Sequence, residues 1–118
     1  MQEPGLNSEL MNGIREVRPG EGHVPYFEIT QKEDVNGENE HSLFTYLKAS
    51  CANPINDFGS PDSLFWSPIK QTDITWNFEK FLINRSGVPV SRHSPPVLPE
   101  DLADNVRALL AEPAVRRR

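Results

Sequence analysis

Eleven prolines among 118 residues constrain this chain more than any other feature. Proline fixes φ and lacks a backbone N–H, so it breaks helix interiors and stays out of central strands. Proline makes up about 9% of the sequence, against an average near ~5%. Regular structure is therefore confined to short pieces joined by much loop and turn. The length suits one small domain, residues 1–118, and not two. A hydrophobic share of 36% and a mean hydropathy of −0.55 describe a soluble globular chain with a lean core. Small domains already bury a modest share of their surface.

Between the prolines, local signals mark a few elements. Asn7 or Ser8 caps a first helix whose Leu10, Ile14 and Val17 share one face. That helix stops before Pro19, because a residue preceding proline avoids helical geometry. Pro25 to Thr30 alternates like a strand. A turn at Val35–Glu38 precedes a short helix over Ser42–Ser50, burying Leu43, Phe44 and Leu47. Cys51 to Pro68 reads as a long irregular loop, a kind of segment that is usually functional or an interface element. Trp76 to Ile83 is an apolar run of strand length. Asn84–Gly87 turns the chain, and Val88 to His93 returns as the second strand of a hairpin. A last helix begins near Pro99, with Glu100 and Asp101 at its positive end. It buries Leu102, Val106, Leu109 and Leu110, and it ends at Pro113.

Charge excludes some functions. A net charge of −5 provides no basic footprint for nucleic acid, and Arg116–Arg118 reads as a frayed, solvated tail. No apolar stretch approaches a membrane span. One cysteine and three histidines have no zinc-site spacing and allow no internal disulfide, so no metal and no bound cofactor is expected.

The segment WNFEKFL at Trp76–Leu82, continuing NRSGVPVSRHS, closely resembles the C-terminal signature of glutathione peroxidases. LFWSPIKQTDI at Leu64–Ile74, DVNGENEHSLFTYLK at Asp34–Lys48, VRPGEGHVPYF at Val17–Phe27 and QEPGLNSEL at Gln2–Leu10 match upstream, in order. The resemblance spans nearly the whole chain. It implies an α/β, thioredoxin-like fold that is incomplete, without the N-terminal strands and the nucleophile-bearing helix. The spacing resembles the tetrameric branch, and Ser50–Cys51 with Leu64–Trp66 resembles its plasma type. The resemblance leaves the compartment open between a secreted and a cytoplasmic parent.

In that family a selenocysteine or cysteine attacks a hydroperoxide and is reset by two glutathiones, so glutathione is a co-substrate. Its nucleophile must be anionic, which nearby donors favour. Trp76 and Asn77 resemble the family's indole and amide donors to that centre; without the resemblance Trp76 reads as a core aromatic. Arg18 matches an arginine near the glutathione site, where a guanidinium suits carboxylates; its alternative is a solvated helix-end charge. Arg92 falls where relatives carry glutathione-facing arginines. Ser91, Pro95 and Pro96 stand where some relatives have arginine, which leaves thioredoxin-type reductants open. Cys51 reads as a structural thiol. Asn84-Arg85-Ser86 is a glycosylation triplet in a hairpin turn, of a kind that often goes unused. Pro19–Gly22 resembles an oligomer-supporting turn of the tetrameric branch, with Glu21 replacing a glycine.

The peroxidatic residue and the family's glutamine are expected before Met1, in a longer protein whose selenocysteine codon was read as stop. Three outcomes are open: a peroxidase seen in part, inactive alone; a noncatalytic short isoform that joins full-length subunits in a homo-oligomer; or a stretch without a stable fold of its own. Without their covering sheet, Phe78, Phe81 and Leu109 are expected to be exposed.

Overall fold

A computed structural model describes residues 5–53 and 66–115. Most of the long loop expected over Cys51–Pro68 and the Arg116–Arg118 tail lie outside the described residues. The chain divides into two compact units, residues 1–34 and 35–118.

The first unit is built on α1, Asn7–Glu16. Glu9 accepts from the backbone N–H of Leu6 at 3.0 Å, which satisfies one of the free donors every helix start leaves. Asn7 does not cap the helix. Its Oδ1 instead accepts the backbone N–H of Lys32 at 2.7 Å, tying the end of the unit to the helix start. The helix closes with Val17 and Arg18 both donating to Gly13 O, so it ends as expected before Pro19. The expected stripe is only half realised: Leu10 and Ile14 are partly covered, while Val17 is 79% exposed. Pro25–Thr30 forms no strand. Alternation supplies a face but no hydrogen-bonding neighbour, and among the described residues no strand pairs with this segment.

The second unit begins with a turn at Gly37, whose φ is +88°. A Cβ there would meet Ser67 O at 3.1 Å, so the close approach of residues 66–67 requires glycine. Helix α2 runs Ser42–Ser50, capped by His41 Nδ1 accepting from Leu43 N. It buries Leu47 to 4% exposure, while Leu43 stays 43% exposed. Strands β1, Lys80–Ile83, and β2, Pro89–His93, form an antiparallel hairpin with Phe81 opposite Arg92 and a register shift at Leu82/Ile83. The apolar run from Trp76 therefore supplies a shorter strand than its length promised: Trp76–Phe78 is a turn, with Phe78 at φ +62°. A 3-10 turn at Pro99–Leu102 leads into α3, Ala103–Leu110. Only Leu102 of its expected apolar face is fully buried; Leu110 is 62% exposed.

Apolar packing is lean, as the composition implied. Among the described residues the buried hydrophobic side chains are Leu47 and Leu102, whereas Lys48, Asp73 and Arg92 are buried too. The centre of this unit is polar.

Candidate functional site

The turn carrying Trp76 and Asn77 is held from beneath. Glu79 and Arg92 form a buried ion pair, Arg92 Nε to Glu79 Oε1 at 2.7 Å. Arg92 also donates from its terminal nitrogens to Thr72 O at 2.9 Å, Cys51 O at 3.4 Å and Asp73 O at 3.2 Å. The guanidinium carbon sits 5.1 Å from the Phe81 ring centre, within cation–π range. Its planar fork thus joins β2, the end of α2 and the segment before Trp76. The sequence reading turned Arg92 toward a ligand, whereas the structure turns it inward, 8% exposed. The reason is local: Glu79, on the neighbouring strand's lead-in, is the nearest carboxylate and is itself buried.

Next to this pair lies a second buried group. Lys48 Nζ meets Asp73 Oδ1 at 2.9 Å and Asn36 Oδ1 at 3.2 Å, and it also pairs with Glu40. The other oxygen of Asp73 accepts from the Trp66 indole N–H at 2.7 Å and the Lys70 backbone N–H at 2.8 Å. Burial alone would raise the Asp73 pKa. The Lys70 N–H, the Lys48 and Trp66 hydrogen bonds and the Lys48 charge outweigh it and hold the carboxyl below its ordinary 3.8. Asn36 completes the frame, accepting from Ile74 N at 2.8 Å and donating to Ile74 O at 2.7 Å.

On this frame the side chains alternate. Trp76 is 65% exposed and Phe78 81% exposed, while Glu79 is buried beneath them. Asn77 is partly covered, and its Oδ1 is buried with no hydrogen-bond partner among the described residues. The indole N–H of Trp76 likewise has no partner among the described residues. The exposed indole thus keeps an unspent donor, and beside it the amide keeps a buried, unspent acceptor oxygen. A buried amide oxygen without a partner is uncommon, and such groups concentrate where a ligand, water or further side chain completes them. The indole is not in an apolar interior, so the reading of Trp76 as a core aromatic does not hold.

Arg18 belongs to the first unit. It is exposed at the end of α1, and its guanidinium makes no ion pair or hydrogen bond among the described residues. Its peptide bond to Pro19 is cis. The Cys51 thiol is partly covered, and its carbonyl serves Arg92. Sequence reasoning passed over Glu79, Asp73 and Lys48. The one available signal was Glu79 and Arg92 in facing arms of the expected hairpin, where opposite charges pair. Among the described residues no group of three or more histidine, cysteine, aspartate or glutamate side chains is placed to hold a metal ion. No helix among them is long and apolar enough to cross a membrane.

Residues 1–48 match the family described as "Glutathione peroxidase". The chain is 55% identical over 98 residues to "Glutathione peroxidase 6" of Mus musculus, covering 81% of this chain and 44% of that protein. It is 52% identical over 98 residues to "Epididymal secretory glutathione peroxidase" of Sus scrofa, covering 81% and 45%. It is 52% identical over 91 residues to "Glutathione peroxidase 3" of Bos taurus, covering 77% and 40%. The chain thus spans less than half the length of these relatives. In structure it superposes on "Crystal structure of Trgpx in apo form" with a TM-score of 0.55 and 24% identity, covering 92% of this chain and 72% of that one. That likeness identifies the architecture as part of a thioredoxin-like α/β fold.

Proposed function

This chain belongs to the glutathione peroxidase family, and from that premise we propose that Trp76 and Asn77 form the donor side of a thiol- or selenol-dependent peroxidase site. The substrates of this reading are hydrogen peroxide or organic hydroperoxides, and glutathione is the reductant. The observation that carries it is an exposed indole whose N–H has no partner among the described residues, next to the Asn77 amide, whose Nδ2 donor likewise makes no hydrogen bond among them. Donors fixed before reaction stabilise a chalcogen anion without reorganising, which is where such sites gain most. Rigid support comes from the Glu79–Arg92 pair beneath the turn. Arg18 is the substrate-binding group of this reading, its guanidinium unpaired among the described residues and suited to the carboxylates of glutathione. Arg92 orients the donor turn and does not contact glutathione. Both units are read as portions of one domain.

Trp76 and Asn77 can orient a nucleophile but cannot replace one, and the single cysteine, Cys51, is partly covered and is read as a structural thiol. The chain alone should reduce hydroperoxide no faster than its Cys51→Ser variant in a glutathione-coupled assay. Mixed with the nucleophile-bearing remainder of a relative, it should gain activity that Trp76→Phe lowers by about tenfold or more. That factor corresponds to one hydrogen bond to a charged group, about 1.5–3 kcal/mol. Equal activity with and without the indole N–H would refute the donor role.

A second reading, a noncatalytic partner of longer subunits, draws on the exposed Phe78, Leu110 and Val90. Co-purification with a full-length relative, without any gain in peroxidase activity, would favour it.

A further inference from the structure

The hairpin turn holds a group that the peroxidase reading does not use. Asn84, Arg85 and Ser86 form an Asn-X-Ser triplet with X other than proline. Such triplets are common, and the geometry of this one decides more than its sequence does. Asn84 Oδ1 accepts from two backbone donors, Ser86 N at 2.9 Å and Val88 N at 3.0 Å. Both partners are N–H groups, so the amide can face only one way. Its Nδ2 therefore points away from the turn, and it has no partner among the described residues. Arg85, Ser86, Gly87 and Val88 are all exposed. Beside Gly87, the space a Cβ would occupy is open to 4 Å.

We propose that Asn84 is an acceptor for an N-linked oligosaccharide. In the transfer, Nδ2 forms a bond to the anomeric carbon of a lipid-pyrophosphate-linked oligosaccharide. The bond from that carbon to the pyrophosphate breaks, the lipid pyrophosphate departs with the electron pair, and Nδ2 gives up one proton to a base of the transferase. Nothing is oxidised or reduced. The product is a secondary amide that keeps its carbonyl oxygen, so both Oδ1 hydrogen bonds survive and the hairpin turn is unchanged. Asn84 also keeps its backbone pairing, donating to Val88 O at 2.9 Å and accepting from Gly87 N at 3.0 Å. Modification thus costs the fold none of the contacts that make the turn. Asn84 is partly covered, but its amide nitrogen is not among the buried unpartnered atoms and is uncommitted among the described residues. The proposal does not depend on the peroxidase reading.

The test is expression of the full chain behind a secretory leader in mammalian cells, with a second acceptor triplet on an added C-terminal tail to mark molecules that were translocated. Whole-cell extracts are compared before and after treatment with a peptide N-glycosidase. The expected result is two glycans on the parent chain and on Ser86→Thr, and one on Asn84→Gln and Ser86→Ala. Peptide mass analysis should find Asn84 converted to aspartate by the glycosidase. Ser86→Ala keeps the Asn84 side chain and its turn contacts, so loss of the glycan in that variant reads acceptor recognition and not misfolding. A parent chain modified on its tail alone would overturn the proposal. So would a glycan count that Ser86→Ala leaves unchanged.

Discussion

Two regions of the second unit solve the packing problem in opposite ways. Around Asp73, Lys48 and Arg92, charged groups are buried and matched, with each Asp73 oxygen meeting donors from separate stretches of chain. Between β1 and α3, a groove of about 250 Å³ lined by Phe81, Ile83, Val106 and Leu110 lies open. The polar centre is closed because every charge taken from water needs a partner, and those partners are present within the unit. The groove stays open because two strands and one two-turn helix present apolar surface that they cannot cover on their own. The buried charges are paired, although Glu79 Oε2 is left without a hydrogen bond among the described residues. The apolar surface of the groove is left open.

The sharpest way to break the contrast is at Lys48. Replacing it by methionine leaves Asp73 buried without its cation and Glu40 with only Lys70 at 3.6 Å, and about 3–5 kcal/mol should be lost, read by denaturant unfolding. Adding Asp73→Leu to the same chain should restore part of that loss, since a matched apolar pair leaves fewer uncompensated charges than a broken ion pair. If the two losses simply add, the network is not a unit.

Acid should attack the same region. The native pKa of Asp73 lies below its ordinary 3.8, so its contribution is fully present above the unfolded value. It is lost as pH falls through the depressed native one. A melting series in acid should show this loss in the parent chain and a flatter profile in Asp73→Asn. Parallel profiles would mean that another carboxylate governs the acid limb.

Smaller effects belong to the hairpin and its helix. Leu102, 6% exposed, should cost about 2–3 kcal/mol on truncation to alanine, from lost burial and the cavity left behind. Leu110 lies on the groove wall and is 62% exposed, so its truncation should shift stability by no more than about 0.5 kcal/mol. Equal costs at the two positions, by thermal melt, would show that the groove is closed in solution and that the contrast is mistaken.

The elements legible in the sequence are those with local causes. Helix α2 was expected over Ser42–Ser50 and is found there, because its cap at His41 and its apolar positions are neighbours in the chain. The hairpin was expected from a turn triplet and glycine between two apolar runs, and it forms. Its first strand starts later because Trp76–Phe78 bends, with Phe78 in the left-handed region. No propensity forecasts that conformation for a bulky residue. Pro25–Thr30 had the alternation of a strand and none of the pairing. The family resemblance located Trp76, Asn77 and Arg18. It also named Arg92, whose inward course depends on Glu79, thirteen residues away in the chain.

What the sequence determined by itself was the family, the lean apolar content, and the helices and turn whose hydrogen bonds close within four residues. What only the tertiary structure decided was which charges are interior. Lys48 sits on a short helix between Leu47 and Ala49 and reads as a solvated residue. It is buried because Asp73, 25 residues on, and Asn36, 12 residues back, converge on its ammonium group. Pairings at such separations leave no periodic trace in a sequence, since a buried cation is tolerated only where folding has already delivered its anions.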